Sequence, residues 1–176
     1  MNEAPMMSAQ TAPAVTEDIE APATDCSSAA KPCCALPAGT SPEDAEHYRD
    51  LLSFIISNAV AGEIMAVENY SQMVPLVSDT EEKIIVATQS HDECKHIRLL
   101  AKLGERAGFK VKQTIIEPQW LQIRKGFAEA VNKNDLTSCY LMQDLMTETL
   151  AIVLYRTLTH DTDALTAFTA ENILRD

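Results

Sequence analysis

From residue 42 onward, apolar positions recur three, four and seven apart, the spacing that shares one face of a helix. Ser41-Pro42-Glu43-Asp44 opens the first such stretch with a cap residue, a proline at the first helical position and acids in the first turn. This helix is predicted to run to about Val74, where Pro75 ends it. Its length, about 33 residues or roughly 50 Å at 1.5 Å per residue, suits a bundle helix. Its second half is apolar on more than one face, as a central helix should be. Asp79 or Thr80 caps a second helix, with Glu81 and Glu82 in its first turn, and Gly108 after Arg106 closes it. Pro118 begins a shorter helix over about 119–132, closed by Asn132-Lys133-Asn134. Asp135 caps a helix predicted over about 136–159, and His160-Asp161-Thr162-Asp163 forms a turn. A last helix starts near Ala164 and is expected to be still running at Asp176, since no Gly or Pro precedes that residue.

Acids interrupt the apolar stripes. Glu63 sits among Ile56, Ala59, Val60, Ala66, Val67 and Tyr70, and Glu148 among Leu141, Leu145, Ala151, Ile152 and Tyr155. Glu93 and His96 stand three residues apart on one face of the second helix, in a stripe of Val86, Gln89, Ser90, Ile97 and Leu100 that is only partly apolar. A lone carboxylate in such a stripe suffers a heavy desolvation cost or titrates to neutral. Several converging carboxylates with a histidine can instead share a metal. One Glu from each of two helices, plus Glu-x-x-His from each of two others, is the di-iron carboxylate layout of ferritin-like bundles. Glu63, Glu148 and the Glu93/His96 pair supply three of those four parts. Taken alone, Glu-x-x-His is common by chance, and a solvated helix face would be its plainer reading.

The spacing repeats. Glu63 and Tyr70 are seven apart, as are Glu148 and Tyr155, and Glu93 follows Glu63 by 30 positions. A duplicated helical hairpin would therefore place a second Glu-x-x-His near position 178. The expectation is a chain cut at its C-terminus just before those ligands. Glu171 cannot replace them, because Leu174 rather than His stands three residues on.

Tyr70, Gln143 and Tyr155 lie one or two turns from these acids, close enough to orient them by hydrogen bonds. The plainer reading of the tyrosines is ordinary core aromatics with satisfied hydroxyls. Asp144 reads as a neighbour of Glu148 or as rim, and Glu68 as a salt-bridge or solvent residue. His91 and Cys94 form a second i,i+3 pair on another face; soft sites of that kind usually need four ligands. His47 and His160 read as surface residues and Trp120 as core packing.

Composition narrows the picture. Five glycines and 5 % aromatics favour an all-α fold. The net charge of −12 argues against nucleic acid and anionic membrane partners, both of which want basic patches. Residues 1–40 carry Glu3, Glu17, Asp18, Glu20 and Asp25 against Lys31, a net −4, so −8 remains for the rest. This stretch, rich in Ala, Pro, Thr and Ser, reads as a disordered tail before one helical domain over 41–176. Within it, Cys33 and Cys34 read as solvent-exposed thiols with no site around them. No disulfide framework emerges from five cysteines, and Cys94 and Cys139 inside helices fit a reducing cytoplasm. No transmembrane segment and no secretory signal are expected.

Carboxylate-rich ligands with few histidines favour iron, or manganese, over structural zinc. The residues themselves resemble the aldehyde-deformylating oxygenases, also called long-chain fatty aldehyde decarbonylases, over roughly 48–176. Three stretches carry the resemblance: Gly62-Glu63 with Asn69-Tyr70; Glu93-Cys94-Lys95-His96; and Thr137-Ser138-Cys139-Tyr140-Leu141-Met142-Gln143 running on to Glu148, Ala151-Ile152 and Tyr155. The resemblance implies that Glu63, Glu93, His96 and Glu148 are ligands of two iron ions. It places Asp176 directly before the second Glu-x-x-His, so the chain as it stands is expected to bind metal poorly and to be inactive. It implies conversion of a fatty aldehyde to an alkane or alkene one carbon shorter, with formate. Dioxygen, a ferredoxin-type reductant and an acyl-carrier-protein reductase that supplies the aldehyde are the implied partners. Other readings are a different di-iron oxygenase, such as a hydroxylase of modified tRNA, against which the acidity speaks; a ferroxidase; or a metal-free helical module.

Overall fold

The computed structural model describes Leu36, residues 39–112 and residues 118–176. The expected tail, with Cys26, Cys33 and Cys34, lies outside the described residues apart from Leu36, Gly39 and Thr40. The described elements are helical: α1 (Pro42–Met73), α2 (Thr80–Ala107), α3 (Pro118–Asn132), α4 (Leu136–Tyr140), α5 (Glu148–Asp161) and α6 (Ala164–Ile173). A π-helical segment, Leu141–Thr147, joins α4 to α5 without a break. The fold is all-α, a ferritin-like bundle.

Local chemistry sets the helix ends. The Ser41 hydroxyl accepts from the Asp44 amide at 3.1 Å, with Pro42 just inside the helix. Asp79 caps α2 by accepting from the Glu82 amide at 3.0 Å. Gly108, at φ 78°, ends α2: its amide reaches Glu105 O and the Phe109 amide reaches Gly104 O at 2.9 Å, a Schellman closure that needs the left-handed conformation. Asp163 caps α6 by accepting from the Leu165 and Thr166 amides, while Tyr48 of α1 donates to its other oxygen at 2.8 Å. α6 ends at Ile173, with Leu174 and Arg175 in a turn, whereas the pattern predicts a helix through Asp176.

α1 and α2 form the most extensive pair, α6 touches both α2 and α5, and α3 packs on α1 and α4. Two apolar clusters fill the interior. One joins Leu52, Ile56 and Val60 to Leu100, Leu103, Tyr155, Leu158 and Ile173. The other joins Ala66, Tyr70 and Met73 to Val77, Val86, Phe127 and Cys139. Glu63 lies on α1 between Val60 and Ala66, at the seam between them.

The helix expected over 136–159 is corrected. The pattern predicts one α-helix over 136–159, with Leu141, Leu145 and Ile152 facing inward beside Glu148. In the structure these three are exposed, and Gln143 and Thr147 are buried in their place. The cause is the π segment: its wider turn shifts side chains off the 3.6-residue register, bringing Gln143 beside Glu148 five residues on. α1 contains an 18-residue window of mean hydropathy 1.5, long and apolar enough to cross a membrane by length and composition. The helix is apolar on several faces because it is central, with 44 % of that window buried, and a core helix passes the same test.

Candidate metal centre

Glu63 from α1 and Glu93 and His96 from α2 meet at the seam, and one potential ligand atom from each lies within 4.8 Å of the others. Glu93 is only 3 % exposed and Glu63 7 %. Residues 93 and 96 meet here because i,i+3 neighbours share the face that α2 turns toward α1. His96 Nδ1 is 3.0 Å from Glu93 Oε2 and 3.7 Å from Glu63 Oε2. His96 Nε2 is buried without a hydrogen-bond partner, and Asp176 Oδ2 approaches it only to 3.6 Å.

Glu148, the first residue of α5, is half-buried and stands outside that trio. Its Oε1 accepts from Gln143 Nε2 at 2.8 Å and from the Tyr70 hydroxyl at 3.3 Å, while Tyr70 also reaches Asp144 Oδ1 at 3.1 Å. Gln143 is fully buried, and its oxygen accepts from Asn69 Nδ2 at 2.8 Å. The Tyr155 hydroxyl donates to Glu63 Oε1. The side chains thus form two groups: Tyr155 with Glu63, beside Glu93 and His96, and Tyr70, Gln143 and Asn69 around Glu148; only Glu63, Glu93 and His96 converge on a point.

Electrostatics separates the acids. Burial pushes the Glu93 carboxyl up; the hydrogen bond from His96 pulls it back, but hydrogen bonding and repulsion from Glu63 and repulsion from Glu148 add to burial and leave it at about 8. Burial acts against a charged His96, but hydrogen bonds to Glu63 and Glu93 outweigh it and raise the imidazole to about 10. Burial likewise opposes a charged Glu63, yet hydrogen bonds with His96, Glu93 and Tyr155 hold it below the usual carboxylate range. Glu148 is raised, chiefly by burial. Near neutrality the trio therefore holds an imidazolium, one carboxylate and one carboxylic acid, a buried group with almost no net charge.

Asn69 belongs to the group around Glu148, and sequence reasoning, which quoted it only beside Tyr70 in the resemblance, gave it no role. Its signal was present: like Glu63, it is a polar residue in an apolar stripe, between Met65, Ala66 and Met73. The remaining candidates fall elsewhere. His47, His91 and His160 are exposed; Glu68 pairs with Arg124 at 2.6 Å; the Trp120 ring packs over Gly62. Cys94 and Cys139 are free thiols.

Buried carboxylates and a histidine converging between bundle helices define a carboxylate-type helical protein with the donor set of a hard or borderline metal. The family model of the long-chain fatty aldehyde decarbonylases matches residues 45–176, and the chain belongs to that family.

Proposed function

We propose that this chain forms the scaffold of a di-iron, dioxygen-dependent enzyme converting long-chain fatty aldehydes to alkanes or alkenes plus formate. The supporting observation is the buried trio Glu63, Glu93 and His96 with its unpartnered imidazole nitrogen, on a chain of the aldehyde decarbonylase family. The trio fits iron: carboxylate oxygens and an imidazole nitrogen, desolvated and almost neutral in their protonated state, ready to exchange protons for a cation. Glu63, Glu93, His96 and Glu148 would hold the metal, with manganese as the substitute, and a second Glu-x-x-His beyond Asp176 would complete the set. Held by these residues, iron would supply the redox chemistry that activates dioxygen, with electrons drawn from an external donor.

The chain's own residues do the rest. Tyr155 steadies Glu63, and Tyr70 and Gln143 steady Glu148, so each carboxylate keeps its orientation. Ile56, Val60 and Leu100 wall off one side of the seam from water. In the overall reaction the aldehyde and dioxygen, with four electrons from the external reductant and four protons, give the hydrocarbon, formate (counted as formic acid) carrying one oxygen atom from dioxygen, and one water; the bond between the alkyl group and the aldehyde carbon breaks and a carbon–hydrogen bond replaces it. The free Cys94 and Cys139 support a reducing, cytoplasmic setting.

The test loads iron(II) under reductant into this chain and into a version extended through the codons after Asp176, then supplies a long-chain aldehyde and isotope-labelled dioxygen. The extended protein is expected to yield hydrocarbon and labelled formate in equal amounts. An iron-loaded extended protein that gives no hydrocarbon from aldehydes of any chain length sinks the reading.

A further inference from the structure

The chain is strongly acidic, yet its cations are concentrated. Six of its 14 Lys and Arg residues (Lys95, Arg98, Lys102, Arg106, Lys110 and Lys112) fall within 95–112 against a single acid, Glu105. Arg98, Lys102 and Arg106 are spaced four apart and exposed, so they form a ridge on the outer face of α2, opposite the buried Leu100, Leu103 and Ala107. Lys95 extends the ridge, though its ammonium pairs with Asp92 at 2.8 Å. Among the described residues, Arg98, Lys102 and Arg106 take part in no ion pair. Lys110 and Lys112, also exposed, continue the positive end where the chain crosses α1 at Ser53 and Ser57.

The same helix carries Glu93 and His96 on its inner face. The ridge is therefore separated from the candidate metal centre by one helix thickness, about 10–12 Å with side chains. Electrons cross such a distance readily. Resting on the proposed function, in which dioxygen is reduced by electrons the chain cannot itself supply, we propose that the outer face of α2 around Arg98, Lys102 and Arg106 docks an acidic electron-donor protein. The donor is oxidised there, and its electrons pass through α2 to the centre as dioxygen is reduced. Charge complementarity selects the occupant: with Lys95 set against Asp92, Arg98, Lys102, Arg106, Lys110 and Lys112 against Glu105 leave a local +4 on a chain of −12, which attracts a compact acidic patch. A broad anionic bilayer would also meet the acidic remainder of the surface. Electron-transfer encounters are small and electrostatically steered, which a short ridge satisfies.

The experiment titrates the full chain with an acidic plant-type [2Fe–2S] ferredoxin, by calorimetry, at low and physiological ionic strength. Wild type is expected to bind with an affinity that falls with salt, and R98E/K102E/R106E to bind at least about tenfold more weakly. R98Q/K102Q/R106Q should fall between, and K133E/R156E, which removes exposed cations elsewhere, should match wild type. Circular dichroism confirms that each variant is folded. Binding by the folded triple Glu variant equal to wild type overturns the proposal. So does a wild type that ignores ferredoxin, or one that instead takes up phosphatidylserine vesicles through this ridge. A parallel arm measures hydrocarbon formation by the extended protein with a small chemical reductant, where the triple Glu variant should equal wild type while ferredoxin-driven turnover drops. No hydrocarbon from wild type with the chemical reductant defeats the aldehyde reaction and leaves the binding result to stand or fall by itself.

Discussion

Asn69 fixes which way round the Gln143 amide sits. The Glu148 carboxylate oxygen takes a hydrogen bond from Gln143 Nε2, which leaves the Gln143 oxygen needing a donor in a fully buried place. Asn69 Nδ2 is that donor. In Asn69→Leu the Gln143 oxygen is left unsatisfied, at a cost of about 1–3 kcal/mol, and the amide can turn its oxygen toward Glu148. The expected outcome is a lower urea midpoint and weaker iron(II) binding. Adding Gln143→Leu removes both buried polar partners and should recover much of the stability without recovering the iron affinity, because Glu148 has then lost a positioning donor. Urea titration and iron binding, measured on the single and double variants, separate the two effects. Equal iron affinity in all three proteins would show that the amide pair does nothing for Glu148.

Elements differ in how much of them the sequence discloses. Caps are local chemistry, so Ser41, Asp79, Gly108 and Asp135 mark helix ends at the level of a tetrapeptide, and the structure agrees with each to within a residue or two; Asp163, read only as a turn residue, proves to be the cap of α6. Glu63, Glu93 and His96 were also legible, since a polar residue in an apolar stripe demands a partner. The π segment was not: residues 141–147 read equally well as α-helix, and only tertiary packing that buries Gln143 and Thr147 selects the wider turn. Another feature hidden from periodicity is the close approach at Gly104 of α2. A Cβ there would stand 2.5 Å from Val111 Cγ2 and 3.1 Å from the Phe109 carbonyl oxygen. Gly104→Ala is therefore expected to cost about 1–3 kcal/mol despite the better helix propensity of alanine. Val111→Ala in the same chain should return part of that loss, since the nearest of the three obstructing atoms belongs to the Val111 side chain. A chemical-denaturation midpoint unchanged in Gly104→Ala would mean that the segment after Gly108 moves aside without cost.

For the molecule as a whole, the buried trio ties stability to pH, and metal should reverse the sign. Glu93 is raised from 4.5 to about 8 on folding, so between those values the folded chain binds the proton more tightly than the unfolded one. Stability from this group is complete below pH 4.5 and declines as pH rises through 8. His96, raised from 6.5 to about 10, contributes in full below 6.5 and loses that contribution as pH rises through 10. Glu63, held low, contributes in the opposite sense, but its contribution is lost only as pH falls below 4.5. Glu93 acts from 4.5 to about 8 and His96 from 6.5 to about 10, both in the same sense, so linkage requires the metal-free protein to become less stable from pH 5 to 10, most steeply between 6.5 and 8 where the windows overlap. Iron(II) or manganese(II) competes with the very protons that stabilise the metal-free form, so metal loading should release protons and gain affinity with rising pH. Melting temperatures measured across this range should fall with pH under chelator and fall less, or rise, with saturating manganese(II). Indicator dye in weak buffer at pH 7 should register acid release on metal addition, and His96→Ala should reduce both the release and the chelator-dependent slope. Parallel curves with and without metal would mean that the cation binds somewhere other than Glu63, Glu93 and His96.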